Sequence, residues 1–185
     1  IYAYWTEPDH TSHAYGPDSS EVANRVRLIN RRLRQLHADL KDTLLIITAD
    51  HGQIPASETL LINQYPELLD CLACPLSLEG RAVSVFVKPD KKDIFEREFA
   101  KHLAQDFILV PREEVIKNAL FGKGTPHPKA HDFIGDYLLI AITDKILEQT
   151  YPEDKRNLIL RGSHAGITKK EMEVPLIIAP SKDKS

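Results

Sequence analysis

Apolar residues recur along this chain at two spacings, and each spacing predicts one kind of regular structure. After Asp18 they fall alternately four and three positions apart, which predicts an amphipathic helix. Asp18 and Glu21 stand three positions apart and predict a capping box at the start of this helix. The apolar stripe consists of Val22, Val26, Ile29, Leu33, Leu36 and Leu40.

Two further stretches predict strands on either side of this helix. Residues 43–49 form a β-branched apolar run typical of a buried strand, and residues 1–6 alternate and are rich in aromatic side chains. A strand–helix–strand order implies a parallel pair joined by a right-handed crossover. We therefore expect the loop at 9–18 and the turn at 50–52, which follow the two strands, at the same edge of the sheet.

The rest of the chain alternates between apolar and charged segments. Strands are predicted near 81–87, 107–110, 135–141 and 172–179, helices near 91–105 and 111–120, and a charged loop at 143–157. This order predicts an α/β fold with a mostly parallel sheet and flanking helices. We expect three segments, namely a core part at 1–74, a small inserted α/β subdomain at 75–130 and a return to the core at 131–185.

Size and charge exclude several classes of protein. With 185 residues, 42% of them hydrophobic, the chain is long enough to bury a core. A net charge of −3 and a pI near 6.3 argue against a nucleic-acid-binding platform or adhesion to an anionic membrane. No apolar run approaches the roughly 20 residues that span a bilayer, so no membrane segment is expected in this chain.

The two cysteines, Cys71 and Cys74, form a single CxxC motif. Such a motif is found in redox pairs and in half zinc sites, but no second CxxC follows, and we favour two semi-buried thiols in a loop. The lack of a disulfide framework favours the cytoplasm. The chain opens on Ile1 without Met, in what is predicted to be a strand, which suggests a fragment whose N-terminal part, with any localisation signal, is missing.

Five polar side chains at predicted strand ends suggest a metal site: Asp9, His13, Asp50, His51 and His164. Any one of them alone would be taken for an ordinary loop residue. Carboxylate oxygens and neutral imidazole nitrogens are ligands that suit Zn²⁺. Shared between two ions, five ligands leave positions open for substrate and water, and two ions about 3.5–4 Å apart suit phosphoryl transfer.

The same residues lie in three ordered motifs: Glu7-Pro8-Asp9-x-x-x-His13-x-Tyr15-Gly16-Pro17, then Ala49-Asp50-His51-Gly52, and Gly162-x-His164 before Val174-Pro175-Leu176-Ile177. These motifs resemble the alkaline phosphatase superfamily, and within it most closely the type I phosphodiesterase/nucleotide pyrophosphatase branch. Two small departures from the branch are Ser12 and Ala165, at positions where the family commonly has Gly. The stretch from Phe121-Gly-x-Gly through His127-Pro128 to Gly135-Asp136-Tyr137 is similar to bacterial members of that branch.

This resemblance implies an alkaline-phosphatase-like fold and two divalent metal ions, expected to be zinc. Asp9, His13 and His164 would hold one ion, and Asp50 and His51 the other. The family's Thr or Ser nucleophile and its first metal-binding Asp would precede Ile1, so that no catalytic nucleophile is expected in this chain. We therefore expect the C-terminal part of a two-metal phosphohydrolase, which by itself binds metal weakly and is essentially inactive.

Other activities stay open at this point. The same core serves phosphomonoesterases, phosphonate hydrolases, sulfatases and phosphomutases, and a non-catalytic metal-binding domain is a further alternative. The expected partner is a small phosphate ester or a nucleotide, and the sequence gives no oligomeric state. We also hypothesise that the segment at 75–130 covers the mouth of the active site.

Overall fold

A computed structural model describes residues 1–153 and 159–181 of the chain as a mixture of helices and strands. The helices are α1 (Asp9–Tyr15), α2 (Ser20–Asp39), α3 (Pro66–Cys71), α4 (Lys92–His102), α5 (Arg112–Lys117), α6 (Ala130–Phe133) and α7 (Lys169–Met172). The strands are β1 (Leu44–Thr48), β2 (Ile54–Pro55), β3 (Glu58–Leu61), β4 (Ser77–Glu79), β5 (Ala82–Val85), β6 (Phe107–Pro111), β7 (Tyr137–Ala141), β8 (Lys145–Glu148), β9 (Gly162–Ser163) and β10 (Leu176–Pro180).

The described residues form two compact units. The first contains residues 1–55, 160–164 and 169–181, and the second contains residues 56–153, 159 and 165–168. The second unit thus includes residues 56–74 and 131–153, which the sequence analysis assigned to the core on either side of an insertion. The predicted boundaries of the insertion, at residues 75 and 131, stay a prediction.

In the first unit, β1 and β10 form an antiparallel ribbon in which Leu44 lies opposite Pro180 and Thr48 lies opposite Leu176. The strand predicted at 43–49 is present, but its predicted burial is wrong, because Leu44 and Ile46 are exposed. The predicted parallel pairing is also wrong for this strand. An apolar β-branched run indicates a strand but does not determine the direction of its partner.

Residues 1–6 do not form the predicted strand, and the aromatic side chains of Tyr2, Tyr4 and Trp5 are exposed. Alternation of side chains gives a segment only a preference for the extended state, and a strand also needs a hydrogen-bonding neighbour. Within the described residues none is assigned to this segment. The expected parallel strand–helix–strand unit is therefore absent from the described part of the chain.

The long helix α2 confirms the helical pattern of the sequence, but its N-cap is Ser19, one residue later than the predicted cap Asp18. The Ser19 hydroxyl, not the Asp18 carboxylate, accepts a hydrogen bond from the Val22 backbone N–H at 3.3 Å. Among the described helices none is long and apolar enough to cross a membrane.

The second unit is built around an antiparallel sheet with the strand order β4-β5-β7-β6. The central strand β7 is buried along its whole length, as its continuous apolar run predicts. On one face Leu139 packs in a core with Phe95 of α4, and on the other face Leu138 and Ile140 pack with Val115 of α5. The predicted strands and helices between 81 and 141 are therefore confirmed, and the four strands pair antiparallel.

A parallel pair of strands, β3 with β8, completes the second unit. The loop predicted at 143–157 is wrong over 145–148, where Ile146 and Leu147 are almost fully buried. Charged residues at both ends of this short strand, Lys145 and Glu148, hid its apolar centre in the sequence pattern. Residues 154–157 of the predicted loop lie outside the described residues.

Candidate metal centre

The first two candidate ligands lie on the helix α1, where the sequence analysis predicted a loop. The Glu7 carboxylate accepts hydrogen bonds from the backbone N–H of Thr11 at 3.2 Å and from its hydroxyl at 2.6 Å, which holds the first turn. Gly16, with a φ of 88°, ends the helix. Asp9 and His13 are four residues apart and therefore lie on the same face of α1. A spacing of four residues indicates a helix, but the turn-forming residues around Asp9 and His13 led to the prediction of a loop.

The second pair of candidate ligands follows β1, as predicted. Asp50 and His51 precede Gly52, whose backbone N–H donates to the Glu171 carbonyl at 2.8 Å. A Cβ on Gly52 would overlap the Lys170 carbonyl, so only glycine fits at this point. The close approach of α7 therefore fixes the turn that carries the pair.

A short ladder brings the fifth candidate ligand to the same place. β2 pairs with β9 so that Ile54 lies opposite Ser163, and His164 follows directly. The His164 ring stacks on the His51 ring with centroids 3.7 Å apart and planes 16° apart. The His13 ring lies 5.1 Å from the His164 ring. All five predicted residues thus lie in the first unit, and three separate segments of chain bring the histidines together.

One carboxylate oxygen lies at the centre of the cluster. Asp9 Oδ1 is 3.2 Å from His13 Nε2, 4.0 Å from His51 Nε2 and 3.8 Å from His164 Nε2. The ligand atoms of Asp9, His51 and His164 all lie within 4.8 Å of one another. Zn²⁺ bonds of about 2 Å place two ligand atoms of a tetrahedral ion about 3.3 Å apart, so these three atoms would have to move closer together to bind one ion.

Backbone carbonyls determine which nitrogen of two histidines faces the cluster. His13 Nδ1 lies 2.8 Å from the Gly162 carbonyl, and His51 Nδ1 lies 2.9 Å from the Gly52 carbonyl. A carbonyl only accepts, so each Nδ1 carries a proton and donates it, and Nε2 is the ring nitrogen that faces Asp9. Imidazole nitrogens and a carboxylate oxygen that face one another in this way are donor types that Zn²⁺ prefers. The donor set therefore fits a metal ion.

Asp50 lies at the edge of the cluster, with Oδ1 3.7 Å from His51 Nε2. The Tyr4 hydroxyl donates to Asp50 Oδ2 at 3.2 Å. Partial burial opposes ionisation of Asp50, but its own backbone N–H, the His51 imidazole and the Tyr4 hydroxyl outweigh it and lower its pKa. The same hydrogen bond raises the pKa of Tyr4. Asp50 is therefore ionised at neutral pH and available as an oxygen ligand.

The geometry agrees with the predicted grouping of ligands only in part. Asp9 lies with His13 and His164, as expected, but His51 is stacked on His164 and lies within 4.0 Å of both Asp9 and Asp50. The division of the five residues between two ions remains a prediction.

The sequence analysis missed two residues that contact the candidate ligands. Gln53 hydrogen bonds to Asp9, and Tyr4 hydrogen bonds to Asp50. Gln53 directly follows the Asp-His-Gly turn, which was the available signal for it. No sequence signal pointed to Tyr4, because it belongs to a segment that was predicted to be a strand.

The chain resembles known proteins in both sequence and structure. Residues 1–165 match the family model of type I phosphodiesterase / nucleotide pyrophosphatase. Ectonucleotide pyrophosphatase/phosphodiesterase family member 7 of Rattus norvegicus is 37% identical over 76 residues, which cover 36% of this chain and 17% of that protein. Bis(5'-adenosyl)-triphosphatase ENPP4 of Homo sapiens is 37% identical over 70 residues, 32% of this chain and 15% of that protein.

Solved structures of the same kind resemble the chain over nearly its full length. Murine ectonucleotide pyrophosphatase/phosphodiesterase 5 superposes with a TM-score of 0.70 at 20% identity, covering 94% of this chain and 45% of that one. Phosphonoacetate hydrolase from Sinorhizobium meliloti 1021, in complex with phosphonoformate, superposes with a TM-score of 0.66 at 20% identity over 96% of this chain and 45% of that one. The chain therefore spans less than half the length of these proteins. At this identity the likeness shows the fold, and it confirms the predicted α/β class.

Proposed function

Because the chain belongs to the type I phosphodiesterase/nucleotide pyrophosphatase family, we propose that the cluster around Asp9 is a zinc centre of a phosphoric ester hydrolase. The observation that carries this proposal is the convergence of imidazole Nε2 atoms on Asp9 Oδ1. Asp9, His13 and His164 are the proposed ligands of one ion, and Asp50 and His51 those of a second. Two such ions, when bound, stabilise negative charge on the attacking and leaving oxygens of an in-line phosphoryl transfer.

The protein's own contribution is to hold these ligands ready in one geometry. The carbonyls of Gly162 and Gly52 accept from Nδ1 of His13 and His51, so that Nε2 of each ring faces the cluster. The Tyr4 hydroxyl orients the Asp50 carboxylate through a hydrogen bond. The side chains of His13, His51 and His164 are each about a fifth to a quarter exposed, which leaves a ligand from solvent room to reach them.

The proposed substrate is a small phosphate diester or a nucleotide. Support comes from the family, from relatives named as bis(5'-adenosyl)-triphosphatase, and from a murine family member 5 structure in complex with AMP. A phosphonate is the second candidate, since phosphonoacetate hydrolase shares the fold. The cluster itself contains no Ser or Thr among its five side chains, and the resemblance implies that the nucleophile is supplied from outside residues 1–185. We therefore expect little turnover by this chain alone.

Metal binding by the 185-residue chain tests the proposal. Calorimetry with Zn²⁺ and visible absorption with Co²⁺ measure affinity and ligand geometry without any need for turnover. We expect Asp9→Asn and His164→Ala to weaken binding by more than the roughly 100-fold that loss of an outer hydrogen bond costs.

The matched control is His10→Ala. His10 lies on the same helix as Asp9 and His13, but its side chain is exposed, so affinity should not change. Equal binding by the wild-type chain and the Asp9→Asn variant, or no binding by either, would refute the zinc centre.

Substrate class is tested separately, with bis(p-nitrophenyl) phosphate, p-nitrophenyl phosphate and phosphonoacetate offered to the zinc-loaded chain. Slow hydrolysis that favours the diester would support the proposed substrate. Preference for phosphonoacetate would favour the second candidate. Rapid turnover of any of the three would contradict the expectation that the nucleophile lies outside residues 1–185.

A further inference from the structure

We propose that Gln53 is a positioning residue of the metal centre, holding the Asp9 carboxylate so that Oδ1 faces the three histidines. The inference rests on the proposed function, since it concerns how tightly the same centre binds its ion. Gln53 is half-buried and lies two residues after His51, immediately before β2. Neither the Asp-His-Gly turn nor the family motifs quoted above include it.

The reason for this role is the place of the amide between two candidate ligands. His13 and His51 donate from Nδ1 to backbone carbonyls, so Nε2 is the nitrogen of each ring that faces Asp9 Oδ1. Gln53 Nε2 carries two protons at any pH at which the protein is folded, and it hydrogen bonds to the same oxygen. It also lies 3.5 Å from His13 Nε2. One amide group thus contacts two candidate ligands and donates to Asp9 a hydrogen bond that does not depend on the protonation of any imidazole.

The surroundings of the amide leave it one orientation. Gln53 Oε1 is buried and has no hydrogen-bond partner among the described residues. Turning the amide over would bring this oxygen to Asp9 Oδ1, where two acceptors would face each other. A Cβ on Gly162 would lie only 3.1 Å from Gln53 Oε1, so the glycine leaves the space that the amide needs. Oε1 of Gln53 therefore stays without a hydrogen-bond partner among the described residues, while Nε2 of the same amide holds the Asp9 carboxylate.

The expected consequence is on metal affinity rather than on folding. Without the amide, the Asp9 carboxylate is free to rotate, and ordering it again opposes metal binding. Loss of an outer hydrogen bond of this kind typically lowers metal affinity by about 10–100-fold. The Asp9 side chain is 38% exposed, so water can replace the amide as a hydrogen-bond donor, and an apolar side chain also removes the unpartnered oxygen; the stability of the metal-free protein should therefore hardly change.

The experiment compares Gln53→Met, which keeps the side-chain length but has no amide, with Gln35→Met as a matched control. Gln35 is an exposed residue of α2, and the same substitution there should leave zinc binding unchanged. We expect Gln53→Met to bind Zn²⁺ about 10–100-fold more weakly and to show an altered Co²⁺ absorption spectrum. The thermal midpoint of the metal-free form should equal that of the wild type. Gln53→Leu serves as a second variant if Gln53→Met does not fold.

The outcomes separate this inference from the proposed function. Wild-type affinity and an unchanged Co²⁺ spectrum in Gln53→Met, together with weak binding by Asp9→Asn, would overturn the role of Gln53 and leave the metal centre standing. A wild-type chain that binds no metal, or binds it equally after Asp9→Asn, would overturn both. A drop in metal-free stability as large as the loss of binding would show a structural role instead and would also overturn the inference.

Discussion

The two compact units differ in what holds them together. In the second unit, the largest apolar side chains of the sheet and of α4, such as Phe95 and Leu139, have no exposed surface. In the first unit the ribbon residues Ile46 and Ile178 are 57% and 59% exposed. Several of its side-chain contacts are instead polar and converge on Asp9.

The buried core and the candidate ligands therefore lie in different parts of the described chain. Burial of apolar surface stabilises a fold by about 25 cal/mol per Å², and the second unit has most of that burial. The first unit places five candidate ligands by helix geometry, a short ladder and backbone carbonyls, none of which depends on a large core. Substitutions should therefore separate into those that unfold the protein and those that weaken metal binding.

The largest expected effect is that of truncating the core of the second unit. Phe95→Ala leaves a cavity beside Tyr137, whose ring centroid is 5.7 Å from that of Phe95, and should cost about 3–5 kcal/mol of unfolding free energy. Ile178→Ala, in the exposed ribbon of the first unit, should cost less than about 1 kcal/mol, because most of that side chain already meets solvent.

Urea denaturation followed by far-ultraviolet circular dichroism measures both values, and the fluorescence of Trp5, the single tryptophan, reports on the first unit alone. Comparable losses in the two variants would remove the contrast between the units.

A smaller effect is expected from removing the polar contacts of the Asp136 carboxylate in the second unit. The Asp136 carboxylate lies 2.7 Å from Lys92 Nζ and accepts a hydrogen bond from the Val87 backbone N–H at 2.9 Å. Burial opposes ionisation of Asp136, but these two contacts outweigh it and lower its pKa. Asp136→Asn should therefore cost about 2 kcal/mol at pH 7, the usual loss for a hydrogen bond to a charged group.

The pH dependence gives the sign of this effect. A carboxylate whose pKa is lowered by folding stabilises the native state above its unfolded value of about 3.9, and the contribution is lost as the pH falls through the folded value. The difference in unfolding free energy between wild type and Asp136→Asn should thus be constant from pH 7 to about 5 and then shrink in acid. Asp70→Asn is the control: its pKa is also lowered, by Lys91, but the carboxylate is exposed, so only a small change is expected. A difference that grows in acid would contradict the assignment.

Much of the fold of the second unit was predictable, because its signals are local. The apolar run at 137–141 and the helix at 92–102 are confirmed, and so is membership of the family. Strand direction was not predictable, since antiparallel and parallel partners demand the same side chains of a buried strand. Burial in the first unit was also predicted wrongly: the stripe of α2 is regular, yet Val26 and Leu36 are exposed.

The candidate site was predictable as a set of residues but not as a geometry. The motifs selected five side chains that lie together, although their role as ligands stays a prediction. The carbonyls of Gly52 and Gly162, which orient two of the imidazoles, leave no trace in a sequence, because every residue has a carbonyl. Gln53 was not predicted for a different reason: its proposed role depends on the contact between its amide and Asp9, which only the structure shows.

The smallest predicted effect concerns the start of α2, where the sequence and the structure name different caps. Ser19→Ala removes the hydroxyl that accepts from Val22 N–H and should cost about 1 kcal/mol. Asp18→Ala should change stability by no more than a few tenths of a kcal/mol, because its exposed carboxylate lies one position outside the cap and interacts only with the helix dipole. Thermal unfolding of the two variants beside the wild type measures the difference. A larger loss for Asp18→Ala would restore the capping box of Asp18 with Glu21. If Ser19→Ala causes the larger loss, as expected, then α2 depends on its terminal hydrogen bond more than a helix packed against a core does, because part of its apolar stripe is exposed.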